Sequence, residues 1–395
     1  MFLSDDREEH SHITNQPAVQ EISAEFDKDK LVNALHAVSA AQIDGDIGWV
    51  QILFTGEEKI VFSSMSHNLS IKYELNSHHI GSGIIKVSGK QFSEYVKQLP
   101  QTTVHLKAEL PFRIHLRCAG SSAKIQLVQD QSVHNVIPSK VGTQVHVKGA
   151  YLERWINSFK DLVLVDDSRF YANGALIWVD QSSEGPCLYS VASDALRLSQ
   201  SCLTEGVKAT HADTSKVIVS KKTLEELKRE CVLNPEKEFT LKWSNDELTF
   251  SAEYDGYLLS SKCIAGLYPP YEAAFPQKIN FETTFDLKAM QDSVKRSLIF
   301  ADKNKVMKFV FENSLLKMTS YTLGQKEGEE IIEIQTNVNT PFEVNYNGPH
   351  LAGILNVISG SRVMFLWESI NKPVKIVGEE QRGLKVFYLL VPTRF

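Results

Sequence analysis

An α+β fold built from one repeated unit is predicted by three observations. Six short amphipathic segments recur at nearly even spacing, their starts carry helix-capping side chains, and the stretches between them alternate and are rich in β-branched residues. The apolar anchors of the segments are Leu31, Phe92, Leu152, Leu224, Met290 and Leu351, spaced 61, 60, 72, 66 and 61 residues apart. Four residues before each anchor stand Asp27, Ser88, Lys148, Ser220, Asp286 and Asn347. Five of the six are Asp, Ser or Asn, whose side-chain oxygen accepts from the unpaired N–H groups of a first helical turn.

The spacing therefore predicts helices over 28–39, 88–100, 148–163, 220–231, 286–300 and 347–359. Val50-Gln51-Ile52-Leu53-Phe54 follows the first helix, Phe112-Arg113-Ile114-His115-Leu116 the second and Phe309-Val310-Phe311 the fifth. These stretches suit half-buried strands. One helix plus several strands, used six times, suits a symmetric scaffold better than an enzyme, whose single site needs several unlike residues.

At 395 residues the chain exceeds one ordinary core, and three domains of two units each would fit. Its 43% hydrophobic and 23% charged residues match soluble globular proteins. Residues 1–21, with Asp5-Asp6-Arg7-Glu8-Glu9-His10, lack both periodicities and are expected to form a disordered tail. That start has no signal-peptide core, and no later stretch approaches the roughly 18 apolar residues of a membrane span. Cys118, Cys187, Cys202, Cys231 and Cys263 are odd in number and form no CxxC pair, so all five read as reduced thiols of a cytoplasmic protein.

The net charge is −6, which argues against coating nucleic acid with the whole surface. The six helical segments nevertheless hold 14 Lys and Arg against 9 Asp and Glu, leaving −11 for the rest. The cations at helix positions expected to be exposed are Lys90, Lys97, Arg154, Lys160, Lys221, Lys222, Lys228, Arg229, Lys288, Lys295 and Arg296. Two readings fit: ordinary solvated faces, or a shared basic surface that touches a polyanion's backbone without reading sequence.

Catalytic patterns fail one by one. Gly83-Ile84-Ile85-Lys86-Val87-Ser88-Gly89-Lys90 has one residue too many between its glycines and Gln91 in place of Ser or Thr, so it is not a Walker loop. His10, His12, His78 and His79 lack partners at metal-ligand spacing. Asp166 and Asp167 sit in a polar turn, where nothing would raise a pKa for acid–base work. No enzyme, metal or cofactor is expected.

Four patterns in the second half, and the chain's end, resemble one family. Arg169-Phe170-Tyr171-Ala172-Asn173-Gly174 and Ser193-Asp194-Ala195-Leu196-Arg197-Leu198 are similar to the RYYLNG and TDGHRL pair of the bacterial sliding clamp, the DNA polymerase III beta subunit. Val217-Ile218-Val219-Ser220-Lys221-Lys222 and Gly266-Leu267-Tyr268-Pro269-Pro270-Tyr271 resemble its VPRK and GRFPDY segments. The end, Tyr388-Leu389-Leu390-Val391-Pro392-Thr393-Arg394-Phe395, resembles its terminal apolar, Pro, x, Arg, apolar run. The likeness spans about 148–395. Before it, Ser88-Gly89-Lys90-Gln91-Phe92 resembles the second helix start, while Asp130-Gln131-Ser132-Val133-His134 departs from the usual junction.

The resemblance implies three similar domains, here 22–142, 143–279 and 280–395, each with two helices backed by antiparallel sheets. Two chains would close into a ring lined by twelve helices around duplex DNA, favouring the basic-lining reading. It implies a peptide pocket lined by Ala172, Ser193, Ala195, Leu196, Arg197, Leu198, Pro269, Ala274, Asn347, His350, Ile370, Leu389, Leu390, Val391, Pro392 and Arg394. Polymerase and clamp-loader subunits would insert short apolar motifs there. The bland alternative is a terminal strand buried for stability alone. Ala195, Leu196, Ala273 and His350 stand where the family has Gly, His, Arg and Tyr, which implies an altered pocket shape.

Ile125 and Leu127 would meet Leu298 and Ile299 of a second copy at the dimer edge, or all four are core. No membrane partner is expected. The rival function is a clamp-like decoy that binds clamp partners without encircling DNA.

Overall fold

The computed structural model describes residues 22–39, 48–56, 58–129, 142–182, 185–211, 215–322, 326–338 and 340–393. The acidic start, the departing segment 130–134 and Arg394 lie outside the described residues.

Six helices occupy the predicted places: α1 (Lys28–Ser39), α2 (Gly89–Gln98), α3 (Gly149–Asn157), α4 (Lys221–Leu233), α5 (Leu287–Leu298) and α6 (Gly348–Val357). Each begins one residue after its expected cap. Asp27 Oδ1 accepts from the Lys30 amide at 3.0 Å, Asp286 Oδ1 from Ala289 at 2.7 Å and Asn347 Oδ1 from His350 at 3.1 Å. Ser88 and Ser220 accept from Gln91 and Thr223 in the same way. Lys148 has no such oxygen, and the start of α3 is satisfied by backbone instead. The Gly149 and Ala150 amides donate to the carbonyls of Lys237 and Pro235 at 2.9 and 2.8 Å. The α3 helix ends at Asn157, short of the predicted 163. There the Ser158 hydroxyl donates to the Trp155 carbonyl and a 3-10 turn, Lys160–Leu162, takes over.

The chain divides into two compact units, one of residues 1–64 and 73–134, the other of 65–72 and 135–395. In the first, α1 packs on α2. An antiparallel five-stranded sheet runs in the order His79–Ile80, Ile22–Asp27, Thr103–Glu109, Arg113–Cys118, Ser121–Gln126. A second antiparallel run joins Gly83–Ser88, Trp49–Phe54 and Lys59–Met65. Alternation sends Ala24, Phe26, Val104, Leu106, Ile114 and Leu116 into the core beside Leu31, Leu35, Phe92 and Val96.

In the second unit α3 packs on α4 and α5 on α6. A nine-stranded sheet runs Val217–Ser220, Gly174–Ser182, Gly185–Ser193, Arg197–Leu203, Leu384–Leu390, Val374–Gly378, Arg362–Trp367, Phe281–Asp286, Gln335–Thr336. The pairing of Arg197–Leu203 with Leu384–Leu390 makes it continuous, which is why this one unit holds two helix pairs. A four-stranded sheet, Lys326–Glu333, Leu315–Thr322, Val306–Glu312 and Phe342–Asn347, backs α5 and α6. Met290, Val294, Phe309, Phe311, Leu351, Phe365 and Trp367 fill the core between. Trp367 Nε1 donates to the Tyr346 hydroxyl at 2.9 Å, so the buried indole is satisfied.

One reading from the sequence is corrected. Cys187 and Cys202 are not free thiols: they stand on neighbouring strands with Cα atoms 5.8 Å apart and form a disulfide. Their separation of 15 residues resembles no local motif, because the adjacency comes from the hairpin. Cys118, Cys231 and Cys263 are free and buried. Among the described residues no helix is long and apolar enough to cross a membrane.

Candidate peptide groove and basic helix faces

The Arg169–Gly174 motif is a locked turn. Asp167 accepts from the Arg169 guanidinium at 2.8 Å, and the Asn173 amide group bridges the Asp167 N–H and carbonyl at 2.9 and 2.8 Å. The Arg169 hydrogen bonds hold the Asp167 carboxyl down at about 2. Gly174 then meets the strand Val217–Ser220 so closely that a Cβ would lie 2.6 Å from Ile218 Cγ2. This turn leads into the strand carrying Leu176 and Trp178 on one face.

That face supports an apolar cluster. Leu176, Trp178, Val191, Leu198, Ile218, Tyr271 and Leu389 are buried together, with Tyr171, Tyr189, Ile264, Tyr268 and Phe275 packed on them. Trp178 stacks on Tyr189 at 5.0 Å, with Lys216 Nζ 4.5 Å from the indole centroid. Beside the cluster a cavity of about 600 Å³ is lined by Leu176, Ile218, Leu248, Leu267, Pro269 and Tyr271 among others.

Asp194 organises the neighbouring turn. Its Oδ1 accepts the Leu196 and Arg197 amides at 3.0 and 2.6 Å, and its Oδ2 takes Arg197 Nε at 2.8 Å and Nη2 at 2.7 Å. The two side chains are only 13% and 8% exposed. Arg197 lies opposite Leu390, Leu198 opposite Leu389, and the Val391 amide donates to the Leu196 carbonyl at 3.0 Å. A Cβ on Gly353 of α6 would lie 3.1 Å from Arg197 Nη1, so α6 packs against this guanidinium. His350 on the same helix is half-buried; burial and then the Arg197 charge push its pKa down, against the opposing pull of Asp194.

The structure therefore brings Leu198 and Leu389 into the cluster, Pro269 to the adjoining cavity, and Ser193, Ala195, Leu196, Arg197 and Val391 to one turn and strand end. His350 and Asn347 start α6 beside them. Ala172 and Leu390 are fully buried, and Leu390 belongs to the core around α5 and α6 rather than to the groove face. Ala274 is exposed in the 3-10 turn Tyr271–Ala274, and Pro392 and Ile370 are half-buried. Sequence reasoning missed Leu176, Trp178, Ile218, Leu267 and Tyr271. Leu176 and Trp178 were findable as same-face residues of an alternating strand.

Ala195 has φ +73°, the left-handed region that favours glycine. An alanine there carries its Cβ against the neighbouring carbonyl. Ala195→Gly is expected to raise unfolding free energy by about 0.5–1 kcal/mol, read as a rise in the urea midpoint at unchanged slope.

On the helices, Lys90, Lys97, Lys222, Lys288, Lys295 and Arg296 are exposed, while Arg154, Lys221, Lys228 and Arg229 are half-buried. Several are already engaged. Arg229 pairs with Glu226 and Glu230 at 2.9 and 3.2 Å, Arg296 with Glu330, Lys288 with Asp292 at 2.9 Å and Lys160 with Asp161 at 2.8 Å. Among the described residues Lys90, Lys97, Lys221, Lys222, Lys228, Lys295 and Arg154 have no ion-pair partner. Arg154, Lys160 and Lys228 line a cleft of about 480 Å³ whose wall also includes Asp161 and Glu379.

Of the candidate dimer residues, two sit at a sheet edge and two at the end of α5. Ile125 is buried on the edge strand Ser121–Gln126, and Leu127 just beyond it is half-buried. Leu298 packs on the α5–α6 core, but Ile299 is 76% exposed. The edge strand Lys326–Glu333 of the four-stranded sheet exposes Ile331.

A sequence-family model described as the DNA polymerase III beta subunit, C-terminal domain, matches residues 272–394. A beta sliding clamp of Caulobacter vibrioides is 24% identical over 350 residues, 87% of this chain and 91% of the relative. One from Vibrio cholerae serotype O1 is 22% identical over 314 residues, 79% of this chain and 82% of the relative. The DNA polymerase III subunit beta of Pseudomonas aeruginosa superposes with a TM-score of 0.85 at 20% identity, covering 94% of this chain and all of that one. Caulobacter crescentus pol III beta gives 0.86 at 22%, with 94% and 100% covered.

The chain resembles bacterial sliding clamps over most of its length, and its residues 272–394 match the C-terminal-domain model of the DNA polymerase III beta subunit. It has the clamp fold, with a helix pair in its first unit and two more in its second. Its departures from the usual clamp motifs now have a location. Ala195 and Leu196 shape the turn at the end of the terminal strand, and Leu267 replaces the motif's Arg on the rim of the cavity.

Proposed function

We propose that two copies of this chain close into a ring that encircles duplex DNA and tethers a replicative DNA polymerase, without chemistry of its own. The division at 22–142, 143–279 and 280–395 gives each copy three domains, so twelve helices line the bore. The observation that carries the reading is the set of unpaired helix cations in a chain of net charge −6: Lys90, Lys97, Arg154, Lys221, Lys222, Lys228 and Lys295. Cations held near phosphates neutralise backbone charge without reading bases, so the ring slides. Arg229, Lys288 and Arg296, tied to their own carboxylates, contribute less to that lining.

Polymerase and clamp-loader subunits dock by short apolar peptides on the face formed by Leu198, Leu389, Pro269 and the rim residues Leu196 and Val391. A groove with apolar walls and a neighbouring strand end suits an extended peptide. Loading needs a separate ATP-driven machine. Ile125 and Leu127 on one copy meet Leu298 and Ile299 of the other, beneath two sheet edges that pair across the interface.

The test is retention on DNA. The protein, loaded by its own loader, is expected to stay on nicked circular plasmid through gel filtration in moderate salt and to run off after linearisation. Equal loss from both forms would favour the decoy that binds clamp partners without enclosing DNA. Ile299→Asp, at a position 76% exposed in the single chain, is expected to convert a dimer to a monomer by native mass spectrometry with an unchanged melting temperature.

A further inference from the structure

We propose that the cleft between the ends of α3 and α6 binds a nucleoside phosphate. All of it lies within the second unit of one chain, and it includes none of the residues assigned above to the dimer edge. Its cavity of about 480 Å³ has the size of a small-molecule site. One wall is basic. Arg154 comes from α3, Lys160 from the 3-10 turn after it, and Lys228 from α4, which packs on α3. Asp161 on this wall pairs with Lys160 at 2.8 Å, which leaves Arg154 and Lys228 without an ion-pair partner among the described residues. Arg154 Nη2 is buried and has no acceptor there either. Leaving such a donor unpaired is costly, and phosphate oxygens in the cleft would supply acceptors to this guanidinium.

The other wall has the reverse character. Asn356 and Val357 end α6, and Gly378 and Glu379 end the strand packed against it, where a Cβ on Gly378 would lie 2.5 Å from Ile358 Cγ2. The Ser361 amide and hydroxyl donate to Glu379 at 3.1 and 2.9 Å, which fixes the carboxylate and holds its pKa below the ordinary range. Its remaining lone pairs, the Asn356 side chain and the last α6 carbonyls offer acceptors to the cleft. Between the walls Leu384 and Val386 stand on one face of the terminal strand. Tyr388, two residues on, donates its hydroxyl to the Ser158 carbonyl at 2.6 Å and so ties that strand to the end of α3.

These three surfaces together select the ligand. Cations take phosphate, acceptors take hydroxyl and amine hydrogens, and an apolar strand face takes a flat ring. A nucleoside phosphate carries all three parts in one molecule. Inorganic phosphate leaves the strand face bare, and a duplex keeps its rings stacked inside. Arg154 and Lys228 also belong to the proposed bore lining, but the cleft is complete in a single unloaded chain. Its binding is therefore measured without DNA, and the outcome does not depend on ring closure.

Isothermal titration calorimetry of the full chain with ATP, in the absence of magnesium and DNA, tests this. Arg154→Gln with Lys228→Gln is expected to weaken ATP binding about tenfold or more, as loss of a charge-assisted hydrogen bond would. Lys228→Gln alone, where the lysine has no partner to strand, should weaken it about threefold and leave the melting temperature unchanged. Asn356→Ala, at an exposed position, should weaken ATP by about threefold and leave inorganic triphosphate unaffected. Triphosphate itself should bind roughly tenfold more weakly than ATP, because it buries no ring on Leu384 and Val386. Lys303→Gln, outside the cleft, should change none of these affinities. Wild-type ATP affinity in the double variant overturns the proposal. So does triphosphate binding as tightly as ATP, which reduces the cleft to a patch for any polyanion, or an absence of heat from ATP at millimolar concentration.

Discussion

Arg197→Ala is expected to lower unfolding free energy by about 3 kcal/mol, the low end of the cost of stranding one partner of a buried pair. Asp194 would keep the Leu196 and Arg197 amides but lose both guanidinium donors, in a place where its side chain is 8% exposed. The same turn holds the terminal strand through Leu390 opposite Arg197 and the Val391 amide on the Leu196 carbonyl. Loosening it moves Leu389 relative to Leu198, so affinity for an apolar partner peptide should fall at least tenfold. Arg197→Lys keeps the charge and loses the two-pronged geometry, and should cost about 1 kcal/mol. Urea unfolding and peptide anisotropy read the two effects separately.

An NMR titration adds a signature that mere destabilisation would not give. His350 is held below its ordinary pKa by burial first and by Arg197 second, with Asp194 pulling the other way. Without Arg197, and with Asp194 left, the His350 pKa should rise in the folded protein. A His350 pKa unmoved in Arg197→Ala would show that the guanidinium does not act on this helix.

The helices were legible in the sequence because their information is local. Asp27, Ser88, Ser220, Asp286 and Asn347 each bond the third amide that follows, so residue type and spacing suffice. Lys148 shows the limit: α3 starts on carbonyls of Pro235 and Lys237, nearly ninety positions away. The groove divides the same way. Leu198 and Leu389 were reachable through the motif and the chain end, whereas Tyr271 joins them only because its loop folds over the sheet. Leu390 alternates with Leu389 and so faces the opposite core, a consequence of strand period that an apolar run conceals. Cys187 and Cys202 meet through a hairpin, and no spacing rule announces that.

Charge was the least legible property. The sequence displays Lys228 and Arg229 side by side, yet only Arg229 has carboxylates around it: Glu226 at 2.9 Å and the buried Glu230 at 3.2 Å. Tyr254 donates its hydroxyl to Glu230 at 2.9 Å. Burial raises the pKa of both glutamates, against the Arg229 charge. Arg229→Ala leaves two partly desolvated carboxylates one helical turn apart. It is expected to cost about 2–4 kcal/mol at pH 7, while Lys228→Ala stays within about 0.5 kcal/mol and weakens DNA retention instead.

The sign of the pH dependence separates this from lost packing. A carboxylate whose folded pKa is raised makes the folded state bind protons before the unfolded chain does. Stability therefore increases as pH falls through the raised folded value, and levels off below the unfolded value near about 4.3. Removing Arg229 raises the folded values further, so the variant's deficit against wild type should shrink between pH 7 and pH 5. Glu230→Gln in the same background should recover about half of the loss at pH 7, because an amide carries no charge to desolvate. A deficit that is equal at both pH values, and not relieved by Glu230→Gln, would mean that Arg229 supports α4 through its aliphatic stem rather than its charge.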